Sequence, residues 1–119
     1  MLEQQLAAVR VLPVVTARDE ATTVELAAAL LRGGMRVIEI TLRTPAALAA
    51  IAAVQEAVPG MVVAAGTVNT PADVERVAAA GVKLALSPGA TPALLEAAAE
   101  APLDFVPGVA SASELMQAR

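Results

Sequence analysis

Five short apolar runs recur along this chain at near-regular intervals, and stretches with helical spacing separate them. The runs are Val11-Leu12-Pro13-Val14-Val15, Val37-Ile38-Glu39-Ile40-Thr41, Met61-Val62-Val63-Ala64-Ala65, Lys83-Leu84-Ala85-Leu86 and Asp104-Phe105-Val106. Their first residues, at 11, 37, 61, 83 and 104, lie 26, 24, 22 and 21 positions apart. The segments between them, residues 21–32, 45–58, 71–80 and 91–99, are rich in Ala, Leu and Glu, and residues 2–9 fit a further short amphipathic helix. Strand-length runs alternating with helices of this size predict right-handed βαβ units and a parallel sheet, since a parallel pair needs a crossover that returns the chain to the same end. Boundary residues agree. Thr44-Pro45, Thr70-Pro71 and Thr91-Pro92 each set a capping hydroxyl before a proline at the first helical position. Gly33-Gly34, Pro59-Gly60 and Gly81 fall where helices should stop.

Two parallel architectures compete. A doubly wound dinucleotide fold wants a glycine fingerprint after its first strand, and Val14-Val15-Thr16-Ala17-Arg18 contains no Gly. No P-loop occurs either. Polar residues instead stand at the C-terminal ends of several strands, where the sites of (β/α)8 barrels lie. The expected fold is therefore α/β, of the (β/α)8 TIM barrel family. Such a barrel takes roughly 200 residues or more. At 119 residues the chain is expected to cover about the first five βα units after a short N-terminal helix. The expectation is one barrel domain over residues 1–119, incomplete at its C-terminus.

Composition narrows the chemistry. Hydrophobic residues make up 57% and charged ones 17%, which excludes intrinsic disorder. The longest uninterrupted apolar stretch, residues 46–54, is far short of the roughly 18 that a membrane span requires. The opening Met1-Leu2-Glu3-Gln4-Gln5 lacks the basic start of a signal peptide, so a cytoplasmic location is expected. The absence of Cys and His excludes disulfides, thiolate zinc sites and cysteine nucleophiles, and leaves acid–base work to Asp, Glu or Lys. A net charge of -4 and a single aromatic, Phe105, argue against nucleic acid as a partner.

The second run carries the most chemistry. Alternation sets Ile38, Ile40 and Leu42 on one face and Val37, Glu39, Thr41 and Arg43 on the other. With helices on the first face, Glu39 points into a mostly apolar barrel interior, where desolvation raises a carboxyl toward the range useful to a general base or acid. Arg43, at the mouth, is a fixed cation suited to a carboxylate or phosphate. A half-exposed strand with a solvated polar face, or a structural Arg43–Glu39 pair, would account for the same pattern. In Ala64-Ala65-Gly66-Thr67-Val68, Gly66 lets a ligand approach the backbone and Thr67 offers a hydroxyl and an amide; an ordinary turn is the competing reading. Ser87-Pro88-Gly89 and Pro107-Gly108 follow the next two strands. Together, Thr16, Arg18, Arg43, Thr67, Ser87 and Pro107 would share one rim. Lys83 would not: it precedes Ser87 by four residues, about 13 Å at ~3.3 Å per residue, and reads as a solvated charge at the barrel bottom.

These residues carry a resemblance. Gly33-Gly34-Met35-Arg36-Val37-Ile38-Glu39-Ile40-Thr41-Leu42-Arg43-Thr44, Ala65-Gly66-Thr67-Val68, Ala85-Leu86-Ser87-Pro88-Gly89, Val106-Pro107-Gly108-Val109 and Ser113-Glu114-Leu115-Met116 resemble, in order and spacing, the 2-keto-3-deoxy-6-phosphogluconate (KDPG) / 4-hydroxy-2-oxoglutarate (KHG) aldolases. The resemblance implies a class I, Schiff-base aldolase without metal or organic cofactor, usually a homotrimer, that cleaves a 2-keto-4-hydroxy acid into pyruvate and an aldehyde. It makes Glu39 the proton-transfer carboxylate and Arg43 and Thr67 ligands of the pyruvyl carboxylate, with Ser87 and Pro88 lining the same pocket. The family's imine-forming lysine, in a Lys-Phe-Phe-Pro segment on the sixth strand, and its later phosphate-binding glycines would fall beyond Arg119. The chain thus resembles the N-terminal three-fifths of such an enzyme. Two other readings stand beside this one: a truncated or engineered barrel fragment serving as a non-catalytic scaffold, and a sugar-phosphate epimerase or isomerase barrel.

Overall fold

The computed structural model describes residues 2–119. Eleven elements follow the alternation: α1 (Leu2–Ala8), β1 (Val14–Val15), α2 (Glu20–Arg32), β2 (Val37–Thr41), α3 (Ala47–Ala57), β3 (Val62–Gly66), α4 (Pro71–Ala79), β4 (Leu84–Ser87), α5 (Pro92–Glu100), β5 (Asp104–Pro107) and α6 (Ala112–Gln117). The five strands form one sheet in chain order, β1-β2-β3-β4-β5, and every neighbouring pair is parallel.

The register divides the sheet into two faces. Val15, Ile40, Ala65, Ala85 and Phe105 form one continuous cross-strand row. All five belong to, or pack against, the apolar core beneath the helices, with Ala27, Ile51, Val54, Val74, Val77 and Leu94 among its members. Val14, Glu39, Ala64, Leu84 and Asp104 form the adjacent row, which strand alternation turns to the opposite face. The inward orientation expected for Glu39 is thus the one the register produces.

Local chemistry departs from expectation at two places. The first strand shrinks from five residues to Val14–Val15. Pro13 has no N–H to give a ladder, although its carbonyl still accepts from the Glu39 amide at 2.9 Å. The cap expected of Thr44 does not form either. Helix α3 starts at Ala47 behind Ala46, with no side-chain cap, because the Thr44 hydroxyl donates to the Ala17 carbonyl at 2.6 Å and ties the β2 exit to the β1 exit. The other two caps form: Thr70 accepts from the Asp73 amide and Thr91 from the Leu94 amide.

Candidate active site

Because the strands are parallel and run in chain order, their C-terminal ends meet along one edge of the sheet, and Thr16, Arg18, Arg43, Thr67, Ser87 and Pro107 all stand there. The opposite edge is a different environment. Helix α1 borders it across a cavity of 440 Å³ lined by Gln4, Ala8, Arg36 and Gly60, among others. Lys83, exposed, lies at that same edge, just before β4. It does not join the polar rim.

Glu39 is the half-buried carboxylate among these groups. Burial pushes its carboxyl above its ordinary value of 4.5, and the positive charge of Arg43 offsets only part of that rise. Arg43 is exposed two residues past the end of β2. It acts on Glu39 through space: among the described residues the ion pair is Asp73–Arg76 on α4, and Arg43 and Glu39 do not pair directly. The structural Arg43–Glu39 bridge weighed from the sequence is therefore absent, and the guanidinium stays available to a ligand.

At Gly66, where the sequence suggested ligand approach, the structure shows a close intramolecular contact. The Glu39 side chain occupies the space beside its Cα: a Cβ there would lie 2.7 Å from Glu39 Cδ and 2.9 Å from Cγ, and nearer still to Oε1. The next residue, Thr67, holds φ at 59°, the one positive value outside glycine among the described residues. For a β-branched side chain this is a strained conformation, of the kind concentrated at functional sites. It turns the half-buried Thr67 at the mouth immediately after the strand ends.

Ser87 and Pro88 are less directly engaged. Ser87 pairs with Pro107 and follows Ala85, so alternation sets it on the helix-facing side, and its hydroxyl donates to the Gly89 carbonyl at 2.6 Å. The exposed Pro88 carries a backbone against which Gly108 packs; a Cβ on Gly108 would sit 2.6 Å from the Pro88 carbonyl carbon and 2.9 Å from the Ser87 oxygen. This close passage was hidden in the sequence, where Pro107-Gly108 reads only as turn punctuation. No group of three or more metal-binding side chains is found among the described residues.

The KDPG and KHG aldolase family matches residues 2–119. This chain belongs to that family. Among curated proteins, the chain is 45% identical over 114 residues to the 2-dehydro-3-deoxy-phosphogluconate aldolase of Dickeya dadantii, covering 96% of the chain and 54% of that protein. Among solved structures, it superposes with a TM-score of 0.91 at 42% identity on the KDPG aldolase of Legionella pneumophila, which holds pyruvate captured at low pH as a covalent carbinolamine intermediate. That match covers 96% of this chain and 55% of that one. The KDPG aldolase of Zymomonas mobilis ZM4 with 3-phosphoglycerate gives a TM-score of 0.90 at 38% identity, over 98% and 55%. The chain spans about half the length of the curated relatives it matches, and its fold is that of the first five βα units of a (β/α)8 barrel.

Proposed function

We propose that this chain supplies the proton-transfer carboxylate and the keto-acid-binding rim of a class I aldolase that cleaves a 2-keto-4-hydroxy acid into pyruvate and an aldehyde. The observation that carries this reading is Glu39, a half-buried carboxyl on the inner face whose proton affinity is raised by burial, beside a rim cation with which it does not pair. A lysine outside residues 1–119 forms an imine with the substrate C2 carbonyl, and the imine acts as the electron sink. Glu39 accepts the C4-hydroxyl proton, directly or through a water, as the C3–C4 bond breaks; it then helps return a proton to the enamine that becomes pyruvate. Arg43 holds the keto-acid carboxylate in a charge-assisted fork, and the Thr67 hydroxyl and amide bind the same end.

The carbinolamine described for the Legionella pneumophila relative supports the Schiff-base route. The family match favours an aldolase over an epimerase or isomerase on the same fold. By the same resemblance the working protein is a cytoplasmic homotrimer without metal or organic cofactor, and light scattering on the purified enzyme checks the trimer. The mechanism is tested by Glu39→Gln in the enzyme that includes its imine-forming lysine. The expected loss in kcat is about 10²–10⁴-fold, the usual worth of a general base. Near-normal turnover would remove Glu39 from the reaction.

A further inference from the structure

Gly66 lies in β3 with an ordinary strand backbone: the positive-φ glycines are Gly34 and Gly81. Its backbone geometry therefore does not require glycine. Glycine inside a strand costs conformational entropy and packs nothing, so a reason for it must come from what fills the space. The nearest heavy atoms that a Cβ at this position would meet are Oε1, Cδ and Cγ of Glu39.

The strand register gives this contact a direction. Glu39 is paired with Ala64, and Gly66 lies two residues further toward the C-terminal edge, opposite Thr41. The Glu39 side chain therefore leans diagonally along the sheet, past its own partner and toward the rim where Arg43 and Thr67 stand. The Leu42 amide donates to the Gly66 carbonyl at 2.8 Å and holds β2 and β3 in this register. We infer that Gly66 is a positioning residue: its missing side chain is the seat that turns the Glu39 carboxylate toward the mouth of the site. This rests on the role proposed for Glu39.

The test is Gly66→Ala, alone and with Glu39→Asp, in the active aldolase. A methyl group at residue 66 leaves the strand backbone an allowed geometry but displaces the carboxylate, and misplacement on the scale of 1 Å costs up to about 10²-fold in rate. We expect G66A to lower kcat by ~10–100-fold with a smaller change in KM. The acid limb of the pH–rate profile should shift to lower pH, because the displaced carboxylate is better solvated. Aspartate, one methylene shorter, should restore part of the rate in the Gly66→Ala background although E39D alone lowers it. Unchanged kcat and pH profile in G66A would overturn the inference while leaving the Glu39 mechanism intact. Near-normal turnover in E39Q would instead remove the mechanism on which the inference depends. If G66A folds poorly, Glu39→Ala combined with Gly66→Ala decides between the two causes: restored stability upholds the seat, and persistent instability shows that the backbone itself needs glycine.

Discussion

Glu39, within β2, and Arg43, two residues past its end, sit at different depths, and that difference suits the two roles proposed for them. Glu39 is half-buried, so desolvation raises its proton affinity; Arg43 is exposed, so its charge is screened and falls short of cancelling that effect. A directly bonded pair would have held the carboxyl low and the guanidinium occupied. The geometry avoids both. Arg43→Ala should accordingly raise KM for the keto acid by ~10-fold or more, the worth of one charge-assisted hydrogen bond, with little change in unfolding midpoint. Normal KM together with loss of folded protein would make Arg43 a structural residue instead.

Capping chemistry decides the precision of the elements. The first turn of α4 is closed reciprocally: Thr70 Oγ1 accepts from the Asp73 amide at 3.1 Å, while Asp73 Oδ2 accepts from the amides of Thr70 at 3.1 Å and Asn69 at 3.0 Å. Burial alone would raise the Asp73 carboxyl, but the hydrogen bonds from Arg76, Asn69 and Thr70 and the Arg76 charge outweigh it and leave it below its ordinary 3.8. A depressed folded-state value means that Asp73 contributes its stability above the ordinary value and loses it as pH falls through the lower, folded one. Thr70→Ala should cost about 1 kcal/mol. In urea unfolding, wild type should exceed Asp73→Asn in stability near pH 7, and the gap should close as pH falls through the lowered folded-state value. A gap independent of pH would show that Asp73 acts by packing alone.

Across the molecule as a unit, β1 and β5 each have one strand neighbour, and the inner-row residues Val14 and Asp104 on those strands are exposed. Edges left unpaired would favour association, which the scaffold reading requires and the catalytic one does not. Chemistry separates them. The chain has one lysine, Lys83, at the edge opposite Glu39 and Arg43. The amine of Met1, the other candidate nucleophile, lies outside the described residues. Residues 1–119 alone should therefore trap no pyruvate: borohydride reduction followed by mass spectrometry should find no specific adduct and no retro-aldol turnover. A reduced pyruvyl adduct on Lys83, with turnover abolished by Lys83→Arg, would overturn the division of labour proposed between this chain and the imine-forming lysine.

The alternation of elements, their parallel order and the face on which Glu39 points were all legible in the residue pattern. These depend on periods of two and 3.6 residues, and such periods are local and additive. The β2 limits, residues 37–41, could be read to the residue because nothing interrupts that alternation, whereas the Pro13 ring shortened β1. What the polar groups touch was settled only by the packing of distant segments. The Thr44 hydroxyl went to Ala17, 27 residues away in the chain, instead of capping its own helix; the Ser87 hydroxyl turned back to Gly89; and the Glu39 carboxylate settled beside Gly66 without pairing with Arg43. Each outcome depends on how two strands or two loops come into register. A hydrogen-bonding group takes the partner that packing brings within about 3 Å, and no local pattern encodes that distance.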